Sequence, residues 1–320
     1  DRKKVVNIKF CGIDFRYTDW TGPDQHGYSS VQAGIYQVKD FSNGDVPLPG
    51  MFEIIHATDI TLERNTFACG GAIAIVTRHP SVRNTIIGNR IIDMAGGGIY
   101  LGVAESWSAG SCTSLNDVVS NNYIADCGQV YRDSVGIYLK YPSFAVVEHN
   151  EICNLPYTGI SFGWEWSYNN RNTFSNEIRF NRIYNVAQLL DDAAGIYTLG
   201  KMEKTKIHGN YISDINPSPF WGTNPIAGIY LDNGSKHKTV ENNVIESCLM
   251  NFYALNQPVE ENIFQNNYVF YKNEIKVATG NTYKNNTIIN LNKDLWPEEA
   301  KAIVKNAGIT EEYRDIKPKQ

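Results

Sequence analysis

No stretch of this 320-residue chain approaches the ~18 consecutive apolar residues a membrane helix needs, so no helical span is expected. Lys and Arg are outnumbered, 29 against 34 acids, and form no cluster, which removes the electrostatic footprint of a nucleic-acid binder. Six cysteines show neither CxxC spacing nor histidine companions, which excludes a structural zinc or dithiol motif; no metal or cofactor is expected. Cys69, Cys127, Cys153 and Cys248 each trail an Asn-x-apolar motif and read as small buried core residues. A disulfide through Cys112 stays open, so cysteine does not define the compartment. The opening, DRKKVVNIKF, has no apolar signal core; an exported parent would carry its signal upstream. Long amphipathic helical stretches are missing until the last 30 residues, which excludes helical bundles and alternating α/β folds.

What is present is a repeat. Asn, any residue, then an apolar residue recurs at Asn65, Asn89, Asn122, Asn150, Asn181, Asn210, Asn243, Asn267 and Asn286, at intervals of 19 to 33 residues. Between these lies a second series, Gly-Ile-Tyr-Leu or a variant, at Gly98, Gly136, Gly159, Gly195 and Gly228. Each unit therefore holds two or three short β-branched runs separated by turns. Regular leucine spacing and four strands per repeat are both lacking, against a leucine-rich horseshoe and a propeller. The pattern predicts a single-stranded right-handed parallel β-helix of the pectin-lyase-like kind, all-β, over residues 1–290. Residues 291–320 form a helical cap or tail, with Pro297, Glu298 and Glu299 opening a helix that Gly308 closes over the last coil. The asparagines are architectural: a left-handed turn residue whose amide bonds its equivalent one coil away. The first coil begins without a cap, so a missing N-terminal segment or a partner is expected to cover it.

Strand alternation puts Ile196 inward and the next residue outward. Tyr100, Tyr138, Ser161, Tyr197 and Tyr230 should then form a solvent-facing row. Stacked tyrosines serve either cross-strand stability or the grip on a sugar, ring face to sugar face. Trp164 and Trp166, flanking Glu165 in FGWEW, are read as surface rings of the same groove. Asp232 ends one of these strands beside the row.

DDAAGIYTLG, GISFGWEW before it and GIYLDNGS about 30 residues on together resemble the β-helix glycoside hydrolases of family 141, which include α-L-fucosidase and xylanase activities. TDWTGPDQHGYSSVQAG and PEEAKAIVKNAGITEEYRDI resemble the ends of such proteins, so the likeness spans nearly the whole chain. The family's Asp-Gly-Gly is here Asp192-Ala193-Ala194. The resemblance implies a secreted or periplasmic enzyme acting on an oligo- or polysaccharide, α-L-fucosidase-like or xylan-directed. It makes Asp192 and Asp232 the catalytic acids, a suitable residue type where one carboxyl protonates the leaving group and the other attacks or activates water. Tyr138, Tyr197, Tyr230, Trp164, Trp166 and Gln32 are the expected substrate contacts, with Trp20 and His26 thinner candidates.

Geometry raises an objection. On straight strands Asp192 and Asp232 would stand ~23 Å apart, whereas glycosidase pairs lie at ~5 Å or ~6.5–9.5 Å. Either the chain turns sharply over Asp192-Ala193-Ala194, or Glu165 replaces Asp192 as the partner. Asp133 stands before Gly136 as Asp192 stands before Gly195, which favours a turn role for both. A polysaccharide lyase and a non-catalytic carbohydrate-binding or adhesion solenoid are the alternatives.

Overall fold

The computed structural model describes residues 4–37, 45–78, 80–103, 114–169, 171–256 and 258–318. Cys112 lies outside them. The chain winds as a right-handed parallel β-helix. Among the described residues, three long parallel sheets run the length of the stack, of nine, ten and ten strands, and a fourth of very short strands covers five early coils. The nine-stranded sheet, here the site sheet, runs from Gly50–Ile54 to Glu274–Val277. An antiparallel three-stranded insertion, Ser29–Gln32, Ile35–Gln37 and Asp45–Pro47, branches from the first coil.

Parallel in-register pairing stacks like on like. Leu62, Ile86, Val119, Val147, Ile178, Ile207, Val240 and Phe264 form one inward column, all buried. The site sheet supplies another: Ile75, Ile99, Ile137, Ile160, Ile196 and Ile229. β-Branched residues dominate because their stiff side chains pack on a pleated surface at little entropic cost.

The asparagine ladder is continuous from Asn65 to Asn286. Each Nδ2 donates to the next rung's Oδ1 at 2.9–3.0 Å, and the same oxygen accepts the backbone N–H of the rung below. The left-handed turn, however, sits one residue earlier than expected. Arg64, Gly88, Asn121, His149, Phe180, Gly209, Asn242, Asn266 and Asn285 have φ of 53–66°, and the ladder asparagines do not. The rung needs its amide aimed along the stack, so the strain falls on whatever residue precedes it. The repeated glycines are likewise not turn residues. A Cβ at Gly136, Gly159 or Gly195 would lie 2.7–2.8 Å from the carbonyl oxygen of the next glycine and close to a core isoleucine, so only glycine fits between adjacent strands.

The C-terminal segment does not cover the last coil, whose inward Ile275, Tyr283 and Ile288 are exposed. After Lys293–Leu295 and the helix Glu298–Asn306, the chain runs back along the flank towards the first coils. Trp296, Ala300 and Ala307 pack on Tyr211 and Val244, Gly308 pairs with Phe180, Thr310 with Asn121, and Asp315 with Arg64. Cys127, Cys153 and Cys248 are buried free thiols as expected, whereas Cys69 is half-exposed. Among the described residues no helix is long and apolar enough to cross a membrane.

Candidate active site

The aromatic row exists but does not face solvent. Strand register places Tyr100, Tyr138, Ser161, Tyr197 and Tyr230 on successive coils, all buried. Trp164 fills the gap left by Ser161. Ring centroids run from Tyr100 to Tyr138 at 5.0 Å, to Trp164 at 5.1 Å, to Tyr197 at 6.2 Å, to Tyr230 at 5.0 Å and to Tyr253 at 4.8 Å. Alternation predicts which face a side chain takes; it says nothing of the loops that cover that face. The turn before Gly136 covers Tyr100, whose hydroxyl accepts the Val135 N–H at 2.9 Å. Tyr138 and Trp164 are sealed within the row, so neither offers a ring face to a sugar. Trp166 is exposed.

Tyr197 and Tyr230 act through their hydroxyls instead. The Tyr197 hydroxyl donates to Asp232 Oδ2, and that of Tyr230 to Asp192 Oδ1 at 3.1 Å. Asn256, in the loop after Met250–Ala254, joins the two halves. Its Nδ2 donates to the Tyr230 hydroxyl at 2.7 Å and to Asp232 Oδ1 at 2.6 Å, and its Oδ1 accepts from Tyr253 at 3.2 Å. These three links, 3.1, 2.7 and 2.6 Å, hold Asp192 Oδ1 and Asp232 Oδ1 below about 8.5 Å apart, a bound that admits both glycosidase geometries.

The ~23 Å of straight strand is overcome at Asp192 itself. Its φ is 54°, while Ala193 and Ala194 already pair with Ile226 and Ala227 as strand. A left-handed residue costs an aspartate less than most side chains. The turn is fastened from behind: Tyr157 donates to the Asp192 carbonyl at 2.9 Å and accepts from Gln32 Nε2 at 2.7 Å. Gln32 is thus a brace from the N-terminal insertion and not a side chain free for substrate. Asp133 takes the structural role that its matching position suggested for both acids. It accepts the Gly34 N–H at 2.9 Å and the Tyr28 hydroxyl at 3.3 Å, anchoring the same insertion. Trp20 packs on Tyr28, Tyr36 and Tyr131 there, and the His26 side chain lies outside the described atoms.

Burial, then the charge of Asp232, push the Asp192 carboxyl above its ordinary value, against the Tyr230 hydrogen bond. Asp232 is nearly enclosed and accepts from two donors, Tyr197 and Asn256. Glu165 does not join this network. Its carboxylate is taken by Arg171 Nε and by the Ser167 hydroxyl at 2.7 Å. Asp191, beside Asp192, accepts the N–H groups of Gly222 and Asn224 at 2.8 and 3.2 Å and so holds a loop.

Sequence reasoning missed Asn256, Tyr157 and Tyr253. Tyr253 continues the row, in register with Tyr230, but its strand reads Asn-Phe-Tyr where the repeat has Gly-Ile-Tyr. Tyr157 and Asn256 lie in loops, and a lone Asn among so many carries no signal. No cluster of His, Cys, Asp and Glu suited to a metal ion occurs among the described residues.

The stacked parallel coils define the class: a right-handed parallel β-helix. The family profile described as "Right handed beta helix region" matches residues 40–165. Among solved structures, one described as "Glycoside hydrolase" is 25% identical, with a TM-score of 0.73, over 98% of this chain and 52% of its own. This chain therefore spans about half the length of that protein. An alginate lyase from Paenibacillus sp. str. FPU-7 is 14% identical, with a TM-score of 0.52, over 75% of this chain and 83% of its own, a likeness of fold. No curated protein matches by sequence.

Proposed function

We propose that this chain is a glycoside hydrolase that cleaves a plant or host oligo- or polysaccharide with Asp192 as general acid and Asp232 as its carboxylate partner. The observation that carries the reading is the hydrogen-bonded chain Asp192–Tyr230–Asn256–Asp232, whose length allows half-buried Asp192 and buried Asp232 a glycosidase separation. Burial beside a second acid favours the protonated form of Asp192, the form a general acid needs. Protonated Asp192 gives its proton to the glycosidic oxygen as the bond to the anomeric carbon breaks. Asp232 attacks that carbon or takes the proton of the attacking water. The likeness to a solved glycoside hydrolase agrees with this chemistry. An α-L-fucosidase-like activity is the first specificity to test and a xylan-directed one the second, both from the sequence resemblance.

The test uses 4-nitrophenyl α-L-fucoside, 4-nitrophenyl β-D-xyloside and xylan. Asp232→Asn is expected to reduce kcat at least about 10³-fold with the fold intact by circular dichroism, the scale of losing an essential catalytic group. Asp192→Asn should remove the alkaline limb of the pH profile, which follows Asp192 deprotonation and is shifted upward by its burial and by Asp232. Unsaturated products absorbing in the ultraviolet would mean elimination and sink the reading. So would undiminished hydrolysis by Asp232→Asn.

A further inference from the structure

The loop 216–225, NPSPFWGTNP, leads from Tyr211–Ile215 into the site-sheet strand Ile226–Leu231. It exposes two large aromatic residues adjacent in sequence: Phe220 is 79% accessible and Trp221 38%. An exposed Phe of that degree loses the free energy its burial would supply, so something must hold it out. The loop has the means. Three prolines restrict it. The Ser218 hydroxyl donates to the Leu189 carbonyl at 3.0 Å and accepts the Phe220 N–H at 3.1 Å. Trp221 Nε1 donates to the Asn224 carbonyl at 2.8 Å, which fixes the indole. The Asp191 carboxylate accepts the N–H groups of Gly222 and Asn224 and the Asn224 amide, the last at 3.2 Å. Thr223, β-branched, is held at φ 100°, a strained conformation of the kind that collects at functional sites.

The loop is also continuous with the site. Its pin, Asp191, is the residue before Asp192, and the Ala193 N–H, just after Asp192, donates to the loop's Pro225 carbonyl at 3.0 Å. The loop that carries the rings is thus tied to the residues on either side of the general acid. In glycoside hydrolysis the general acid stands on the side of the leaving group. Exposed aromatic rings on a pinned loop fit the apolar face of a pyranose, which stacks on aromatic carbon while its hydroxyls stay in water.

We propose that Phe220 and Trp221 form a platform for the leaving-group saccharide, so that the substrate is an oligosaccharide extending at least one sugar past the cleaved bond on the Asp192 side. The inference rests on the glycoside hydrolase reading for its polarity. The experiment separates the two. Isothermal titration calorimetry on Asp232→Asn protein, with a fucosylated xyloglucan oligosaccharide and with xylohexaose, measures binding without turnover. With Phe220→Ala/Trp221→Ala added, Kd for the bound oligosaccharide is expected to rise roughly tenfold, the loss of one stacked ring pair. Otherwise wild-type protein carrying the same double substitution should hydrolyse the glycosyl fluoride, whose leaving group is a single atom, at an unchanged rate. Both rings are at the surface, and unaltered thermal melts will show that the fold is kept. Asp191→Ala, which frees the loop but keeps the rings, should weaken oligosaccharide binding in the same direction. Equal Kd with and without the rings overturns the platform, as does failure of both oligosaccharides to bind. Hydrolysis that survives Asp232→Asn overturns the catalytic reading and leaves the calorimetry standing.

Discussion

Asp192 is the residue on which the site turns. It occupies a left-handed turn, lies beside another acid, and is braced through its carbonyl by Tyr157. Its carboxyl is held above its ordinary value by burial and by Asp232, so the folded chain binds that proton more tightly than the unfolded chain does. The resulting stabilisation is complete below the unfolded value and is lost as pH rises through the folded one. Asp192→Asn, a neutral isostere that still accepts from Tyr230, should therefore raise the Tm at neutral pH. The gain should shrink on acidification towards the ordinary aspartate range; scanning calorimetry across pH checks this. A substitution that stabilises the fold and costs activity is the behaviour of a site where stability is traded for function. The two acids were legible in the sequence through their motifs. Their closeness was not, because a single positive φ and the side chains of Tyr230 and Asn256 supply it.

At the scale of the element, the asparagine rung does most of the positioning. Asn181 donates to the Val147 carbonyl and to Asn210, and accepts from the backbone and side chain of Asn150, at 2.9–3.0 Å throughout. Asn181→Ala strands several buried groups at once, at about 1–3 kcal/mol each, so a loss of about 3 kcal/mol or more is expected. Asn286, at the half-buried end of the ladder, should cost about 1 kcal/mol, with solvent replacing its partners. Urea unfolding of the two variants tests the difference. The ladder was readable because a rung recurs at one place in every coil. The left-handed residue before it was hidden because its identity varies from Arg64 to Phe180. The tyrosine strands failed differently: alternation gave the face correctly, and the covering insertion and loops made that face interior.

Over the whole molecule, the C-terminal segment acts as a strap across coils that otherwise touch only their neighbours. A solenoid's stability is a sum of such local contacts, so a strap couples repeats that the stack leaves independent. Arg182 is its central fastening. The guanidinium donates to the carbonyls of Val304 and Ala307 at 2.6 and 3.3 Å, at the C-terminal end of the helix, and lies over Tyr211. Arg182→Met keeps the apolar stem and removes the charged donors, with an expected loss of about 2 kcal/mol. Limited proteolysis should then cut within residues 297–317 before the coils. Aryl-glycoside hydrolysis should persist, because the strap lies on the flank and the acids on the site sheet.

The sequence by itself determined the coil. Parallel stacking at a constant spacing forces the same residue types to recur, so repetition of Asn and of Gly-Ile-Tyr announced the β-helix and its inward columns. It also brought forward Asp192 and Asp232 as candidate acids. Only the tertiary structure decided which side chains gather around them. Asn256, Tyr157 and Gln32 come from loops and an insertion at separate points in the chain, and Glu165 is drawn off by Arg171. Those contacts join residues at unrelated sequence separations, and no periodicity encodes where a loop folds back.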